Sequence, residues 1–162
     1  MLNIVNFVMC FYTNPVDPKK IEMFKGSKIR RFNAYKIKQD SGGLLIFYSG
    51  KIIETNFKKI SDARRSLEKF SYTTGISIIK HKIVNITGAL KMPFRINMNS
   101  LLIEENVEYE PELFPGIYFK YKTGKIILFH SGKYILTGFK LNKNLYSVNR
   151  SFLFQIKKFK IL

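Results

Sequence analysis

The stretch YEPELFPGIYFKYKTGKIILFHSGKYILTGFK, residues 109–140, has a second and looser copy of itself earlier in the chain. A shift of 82 positions sets Phe114 on Phe32, Lys120 on Lys38, Gly124 on Gly42 and Phe129 on Phe47. The same shift sets Ser131-Gly132-Lys133 on Ser49-Gly50-Lys51, Ile135 on Ile53, Thr137 on Thr55 and Phe139-Lys140 on Phe57-Lys58, without a gap. Carried backwards, it sets Asn85-Ile86 on Asn3-Ile4. So long a run of matches marks a duplication. Two repeats are too few for a solenoid, which needs about three or more to bury a continuous core. One pseudo-twofold domain of two direct repeats, about 1–80 and about 81–162, is therefore expected, with no regulatory arm ahead of the first.

Outward from that stretch, residues 2–12 carry no charge and are rich in Val, Ile and Phe, which predicts a strand. Asp17 as cap and Pro18 in the first turn predict a short helix through 19–24, and 25–27 a loop. Strands 31–38 and 44–48 around the turn cluster 39–43 make a hairpin, and a strand over 51–58 extends the meander. Ala63, Leu67 and Phe70 recur at helical spacing within 62–70. The second half repeats the plan: strand 82–90, a break at Pro93, a helix over 97–105, a loop at 108–113, strands 114–121, 125–130 and 133–139, and a closing helix within 145–159. Helices flanking an antiparallel meander predict an α+β domain.

The chain has 162 residues, 46% of them hydrophobic, enough for one well-buried core. Its 28 Lys and Arg against 11 Asp and Glu leave a net charge of +17, a field that attracts polyanions, with nucleic acid, an anionic membrane surface and a merely solvated lysine-rich face as the readings and nucleic acid first among them. Cys10 is the only cysteine, so no internal disulfide is possible and a reducing compartment is expected. The apolar opening has no basic segment before it and no small-residue cleavage site after it, so a buried strand explains it better than a signal peptide. Nowhere do 18 uncharged apolar residues run together, which argues against a membrane span, and no membrane partner is expected.

The duplicated residues point to a surface. Phe32 with Phe47, and Phe114 with Phe129, fall at the open ends of their hairpins and predict an aromatic pair in each half. Lys38, Lys51 and Lys58 are matched by Lys120, Lys133 and Lys140, six cations at positions where a core would not keep charge. Asn3 with Asn85 and Thr55 with Thr137 supply small hydrogen-bonding groups beside Val5, Ile53 and Ile135. An apolar floor with few polar groups suits the minor groove of A·T-rich DNA, which presents acceptors and lacks the guanine amino group. A DNA-acting enzyme is disfavoured: one Cys with the isolated His81 and His130 makes no metal-ligand cluster, and no nucleophile stands at motif spacing from a base.

With YEPELFPG at 109–116, LFHSGK at 128–133 and ILTGFK at 135–140, and the looser RRF at 30–32, LIFYSGK at 45–51 and IIETNFK at 52–58, the chain resembles the core of the TATA-box-binding protein family over nearly its whole length. The resemblance implies a saddle-shaped antiparallel sheet of two pseudo-repeats astride DNA, with four helices on its convex side and no cofactor. It implies that the two Phe pairs wedge into the ends of a TATA element and that Asn3, Asn85, Thr55 and Thr137 sit at the central base steps. Val5, Leu45, Ile53, Ile127 and Ile135 would form the floor, with Thr87 where a valine is usual, and the six lysines would hold phosphates. Glu110, Glu112 and Leu113 match the loop that meets a factor IIB-like protein, which in turn brings the RNA polymerase machinery. In the first half the family's TGAK is Thr55-Asn56-Phe57-Lys58. Glu54 precedes it, and alternation from Thr55 sends that carboxylate to the convex side. Loop 25–31 has lost its proline and its acidic character, which counts against a factor IIA contact. Both hairpins are about two residues short. The implied function is a general transcription initiation factor in a nucleus, or in a nucleus-derived or viral system. The alternative is a divergent relative that serves as a nonspecific DNA-binding or protein-interaction scaffold.

Overall fold

The structure, a computed structural model, describes residues 2–22, 26–39 and 42–161. Two compact units divide the chain, Val5–Asn85 and Met1–Ile4 with Ile86–Leu162. The predicted turn residues Asp40 and Ser41, the end of the first helix at 23–24 and residue 25 of the following loop lie outside the described residues.

In the first half, β1 (Asn3–Tyr12), β2 (Ser27–Ile29), β3 (Ala34–Gln39), β4 (Gly42–Phe47) and β5 (Lys51–Phe57) run antiparallel in the order β2-β3-β4-β5-β1. The short α1 (Pro18–Glu22) starts as predicted, with Asp17 Oδ1 accepting the Lys19 backbone N–H at 3.0 Å. One helix, α2 (Ile60–Thr74), buries Ala63, Leu67 and Phe70 on one face. They meet Met9, Phe11, Leu44, Ile46, Ile52 and Phe57 from the strands.

The second half has β6 (Lys80–Lys91), β7 (Val107–Glu108), β8 (Gly116–Tyr121), β9 (Gly124–Phe129) and β10 (Lys133–Phe139) in the order β6-β10-β9-β8-β7. Its helix α3 (Asn142–Ile156) has 15 residues, as α2 does, and starts and ends at the same positions of the repeat. Leu145, Val148, Phe152 and Ile156 form its buried stripe. Phe152 packs edge-on against Phe119 with ring centroids 4.9 Å apart and lies 5.2 Å from Tyr134. Such pairs add about 0.5–1.5 kcal/mol beyond the area they bury.

Three expectations are corrected here. The predicted helix over 97–105 is a 3-10 turn, Asn99–Ile103, with Leu101 its one buried side chain. Its N–H groups bond three residues back, Leu101 to Met98 O at 3.2 Å and Glu104 to Leu101 O at 3.1 Å, and the described residues hold three α-helices rather than four. Phe32 and Phe114 do not open strands. Phe32 ends a 3-10 turn, Arg30–Phe32, and Asn33 at φ 48° separates it from β3, while Pro115 separates Phe114 from β8.

The third correction concerns the register of the repeat. The shift of 82 holds from β3 to α2 but not in β1. Phe7 lies opposite Phe57 as Ile86 lies opposite Phe139, and Cys10 opposite Ile53 as Ala89 opposite Ile135. The Thr13 N–H donates to Gly50 O at 2.8 Å as the Met92 N–H donates to Gly132 O at 2.8 Å. In the first strand the shift is therefore 79, and Asn6, not Asn3, matches Asn85. Two nearby asparagines made the sequence ambiguous. Burial resolved it, with Phe7, Met9 and Phe11 turned inward as Ile86 and Gly88 are.

Glu54 lies on the helix side of β5, as alternation required, where the second half has Leu136. It is fully buried, and neither carboxylate oxygen has a hydrogen-bond partner. Desolvation pushes its pKa up to about 7. The Ser66 hydroxyl would pull it back, but it donates to Gln39 Oε1 instead. A folded-state pKa above the unfolded one means that the proton binds the native state more tightly, so this group favours folding at low pH and loses its contribution as pH rises through 7. Replacing it with the second half's residue, Glu54→Leu, is expected to raise unfolding stability by up to about 3 kcal/mol at pH 8 and by much less at pH 4.5. Denaturant titrations at the two pH values check this, and an equal gain at both would show that Glu54 does not titrate in the fold.

Candidate nucleic-acid interface

Each half covers one sheet face with its helix and leaves the other without one. On β5 the alternation reads Ile52 and Glu54 buried against Ile53 and Thr55 half-exposed; on β10 it reads Tyr134 and Leu136 buried against Ile135 and Thr137 half-exposed. The uncovered face is nevertheless apolar. In the first half, Lys36, Leu45, Ile53 and Cys10 form one row across four strands, and Lys38, Gly43 and Thr55 the next. In the second half the rows are Tyr118, Ile127, Ile135 and Ala89, then Lys120, Lys125 and Thr137. Thr87 and Thr137 meet through their hydroxyls at 3.2 Å. Lys38, Lys51, Lys58, Lys120, Lys133 and Lys140 are all exposed at the rim.

Both faces are bent by a bulge at the same place. Asn56 at φ 73° and Gly138 at φ 87° each insert one residue opposite β1 or β6. After glycine, Asn is among the residues that enter this region at least cost. Asn6 Oδ1 accepts the Asn56 N–H at 2.8 Å and holds the bulge.

The aromatic pairs differ. Phe114 packs on Phe129, with centroids 5.9 Å apart and rings inclined at 61°, and on Tyr118 at 5.3 Å. Phe32 is 55% exposed, carries the Arg31 guanidinium 5.7 Å over its ring, and has no ring contact with Phe47 among the described residues. Gly116 and Ala34 hold the same position of the repeat and explain the difference: a Cβ on Gly116 would stand 2.5 Å from the Phe114 ring and 2.7 Å from Ile127. Ala34 has that Cβ.

Comparison with known proteins follows the same lines. Residues 80–159 match the family model described as Transcription factor TFIID (or TATA-binding protein, TBP). The chain is 34% identical over 114 residues to the TATA-box-binding protein of Archaeoglobus fulgidus, covering 64% of this chain and 62% of that one. It is 32% identical over 144 residues to that of Bombyx mori, covering 81% and 46%. The solved structure of Methanococcus jannaschii TBP superposes over 97% of this chain and 98% of that one, with a TM-score of 0.85 at 26% identity. The chain belongs to the TATA-box-binding protein family. The TBP-like α+β fold of two direct repeats read from the sequence is the fold it has.

Measured against the family expectations, the structure brings Leu45, Phe47, Lys51, Ile53 and Thr55 onto one uncovered face. It brings Thr87, Ile127, Phe129, Lys133, Ile135 and Thr137 onto the other, with Asn85 on the same side of β6 as Thr87. Asn3 and Val5 are corrected: they alternate with Phe7, on the helix side of β1, and the positions that match Asn85 and Thr87 are Asn6 and Val8. Lys120 is not a bare rim cation, because it is ion-paired with Glu108. Glu110, Glu112 and Leu113 are exposed; Glu110 O accepts the N–H groups of Leu113 at 3.0 Å and Phe114 at 2.9 Å, a turn that leaves Leu113 80% exposed. Sequence reasoning missed Lys36, Tyr118 and Lys125, which alternation along the hairpins could have found.

Gly116→Ala is expected to push Phe114 off Phe129 and to cost about 1–3 kcal/mol, while Ala34→Gly makes room for Phe32 to settle toward Phe47. Ring contacts and ring-current shifts by NMR, with chemical denaturation, check both. Persistence of the Phe114–Phe129 contact in Gly116→Ala would sink the explanation.

Proposed function

We propose that this chain is a transcription initiation factor that binds the minor groove of A·T-rich promoter DNA through its uncovered sheet faces. The observation that carries this reading is the same in both halves: an apolar sheet face, matched position by position, with no helix over it and exposed lysines at its edge. Antiparallel sheets that face water are ordinarily polar on that side. Leu45, Ile53, Ile127 and Ile135 would lie against the groove floor, and Thr55, Thr87, Thr137, Asn6 and Asn85 would offer the few hydrogen-bonding groups that an acceptor-only groove can use. Phe47, Phe114 and Phe129, with Phe32, would wedge between base steps, a device of which this family is itself the standard example.

Lys38, Lys51, Lys58, Lys133 and Lys140 would hold phosphates, joined by Lys120 once it leaves Glu108. The exposed Glu110-Pro111-Glu112-Leu113 turn would receive a factor IIB-like protein and, through it, the polymerase. Loop 26–31 has no such acidic groups, so no factor IIA contact is proposed there. A nucleus, or a system derived from one, goes with this reading; the matched relatives come from an archaeon and an insect alike, so family membership does not choose the compartment.

The test is equilibrium binding to a TATA-containing duplex and to a G·C-substituted one, with end-attached fluorophores that report bending, over a salt series. The TATA duplex should win by about ten-fold or more and bend, the Phe114→Ala/Phe129→Ala double variant should lose the bend, and the log–log salt slope should be roughly −4.5 with Lys120 held on Glu108 and roughly −5 with all six lysines on phosphates. Equal, unbent binding of both duplexes would instead favour a nonspecific scaffold. Glu108→Gln, which frees Lys120, should steepen the slope toward the six-contact value; an unchanged slope would remove Lys120 from the phosphate set.

A further inference from the structure

At the outer end of the uncovered face, each half carries one row of four residues. In the first half the row is Tyr12, Lys51, Phe47 and Ala34; in the second it is Lys91, Lys133, Phe129 and Gly116. The halves agree at Lys and Phe and differ at the strand beside them. Lys91 and Lys133 are directly opposed on neighbouring antiparallel strands, an arrangement that destabilises a sheet because like charges repel at close range. Neither has a carboxylate partner among the described residues. Lys91 also lines a cavity of about 530 Å³ together with Met92, Phe94, Arg95, Ser131 and Gly132. No Asp or Glu lines it. His130, at its edge, is engaged by the Tyr109 hydroxyl at 2.9 Å. Lys91 thus faces Lys133 across the strand pair and shares its cavity with Arg95, whereas in the first half Lys51 faces a tyrosine, Tyr12.

We propose that Lys91 and Arg95, together with Lys133, hold one backbone phosphate of duplex DNA immediately outside the Phe129 wedge. The proposal rests on the reading of the uncovered face as the DNA-binding surface. A phosphate resolves the repulsion of the opposed lysines, and the Arg95 fork adds planar donors that suit its oxygens. A wedge that unstacks a base step must be held against the restacking of that step, and a phosphate clamped at the same row supplies the hold. The first half lacks this clamp, because Tyr12 stands at the place of Lys91 and takes the Lys82 ammonium 5.6 Å over its ring.

The test uses the full chain, the TATA duplex, the G·C duplex and a salt series. Lys91→Met should weaken both duplexes alike, by roughly five-fold near 0.1 M salt, and reduce the log–log slope by about one. Arg95→Met should do the same, and the double variant should lose little more, because all three cations share one phosphate. Lys143→Met, on the exposed side of α3, is the control and should leave the slope unchanged. Thermal unfolding separates a lost contact from a damaged fold: Lys91→Met relieves the repulsion and should not lower Tm. If the wild-type protein binds and bends TATA DNA while Lys91→Met keeps the wild-type slope, this proposal falls and the DNA reading stands. If the wild-type protein binds neither duplex, both fall. If inorganic phosphate raises the wild-type Tm, loses that effect in Lys91→Met, and the DNA slope is unaffected, the cavity is a free-anion site and the DNA-phosphate assignment is overturned.

Discussion

Each half of this chain has a five-stranded antiparallel sheet and one long helix, and one helix can cover only one face. The remaining structure follows from that shortage. Burial drives Met9, Phe11, Leu44, Ile46, Ile52, Ala63, Leu67 and Phe70 together on the covered side of the first half, and Ile126, Leu128, Leu136, Leu145 and Phe152 on the covered side of the second. Alternation then dictates what stands on the other side. The chain has put Leu45, Ile53, Ile127 and Ile135 there, at a cost of about 25 cal/mol for every Å² of apolar surface left in water. An uncovered sheet with such residues invites edge and face association. The +17 charge and the lysine rim oppose it by repulsion between copies while attracting a polyanion.

The departures from symmetry are concentrated where a single residue changes a local rule. Leu136 becomes Glu54 and puts an unpartnered carboxyl in the core. Gly138 becomes Asn56, and the bulge survives because the Asn6 side chain is there to receive its N–H. Gly116 becomes Ala34, and one methyl group is enough to keep Phe32 from the packing that Phe114 has. None of these changes alters the sheet topology of its half. The backbone plan of a duplicated fold tolerates divergence at single positions because hydrogen bonding along the strands does not depend on side chains, whereas the surface each half presents does.

Much of this was legible in the sequence. The uninterrupted match at a shift of 82 from Phe32 to Lys58 located both hairpins, β5 and β10, and placed Leu45, Phe47, Lys51, Ile53 and Thr55 and their second-half partners on their correct strands, while the helical spacing of Ala63, Leu67 and Phe70 gave the buried side of α2. The failures have definite causes. Asn3 and Asn6 both precede apolar residues, and only the burial of Phe7 and the pairing of Phe7 with Phe57 tells which of them is the repeat's asparagine. Phe32 and Phe114 read as strand residues by composition, but Asn33 in the left-handed region and Pro115 stand between them and the strands, which begin two positions later at Ala34 and Gly116. Lys91 carries no signal in a repeat alignment because its counterpart is not a lysine; it becomes visible only when cross-strand pairing sets it against Lys133. The Lys120–Glu108 pair joins an edge strand to a hairpin, and nothing in the local sequence links those two positions.

The division of labour between rim and floor bears on how such a surface discriminates. Lysine–phosphate contacts are indifferent to sequence and fade together as salt displaces them, since their free energy is largely that of released counterions. On the proposed DNA-binding reading the floor contributes no charge, so a preference for A·T over G·C set there would persist as affinity falls with salt. The Thr87–Thr137 hydroxyl pair and the Asn6–Asn56 contact matter for this reason. They hold the few polar groups of the floor in place before any ligand arrives, and a donor already positioned discriminates by its fit rather than by the entropy spent in ordering it. On that reading selectivity would fall to a small, nearly uncharged area, and affinity to a charged margin that can vary between the two halves without disturbing the readout.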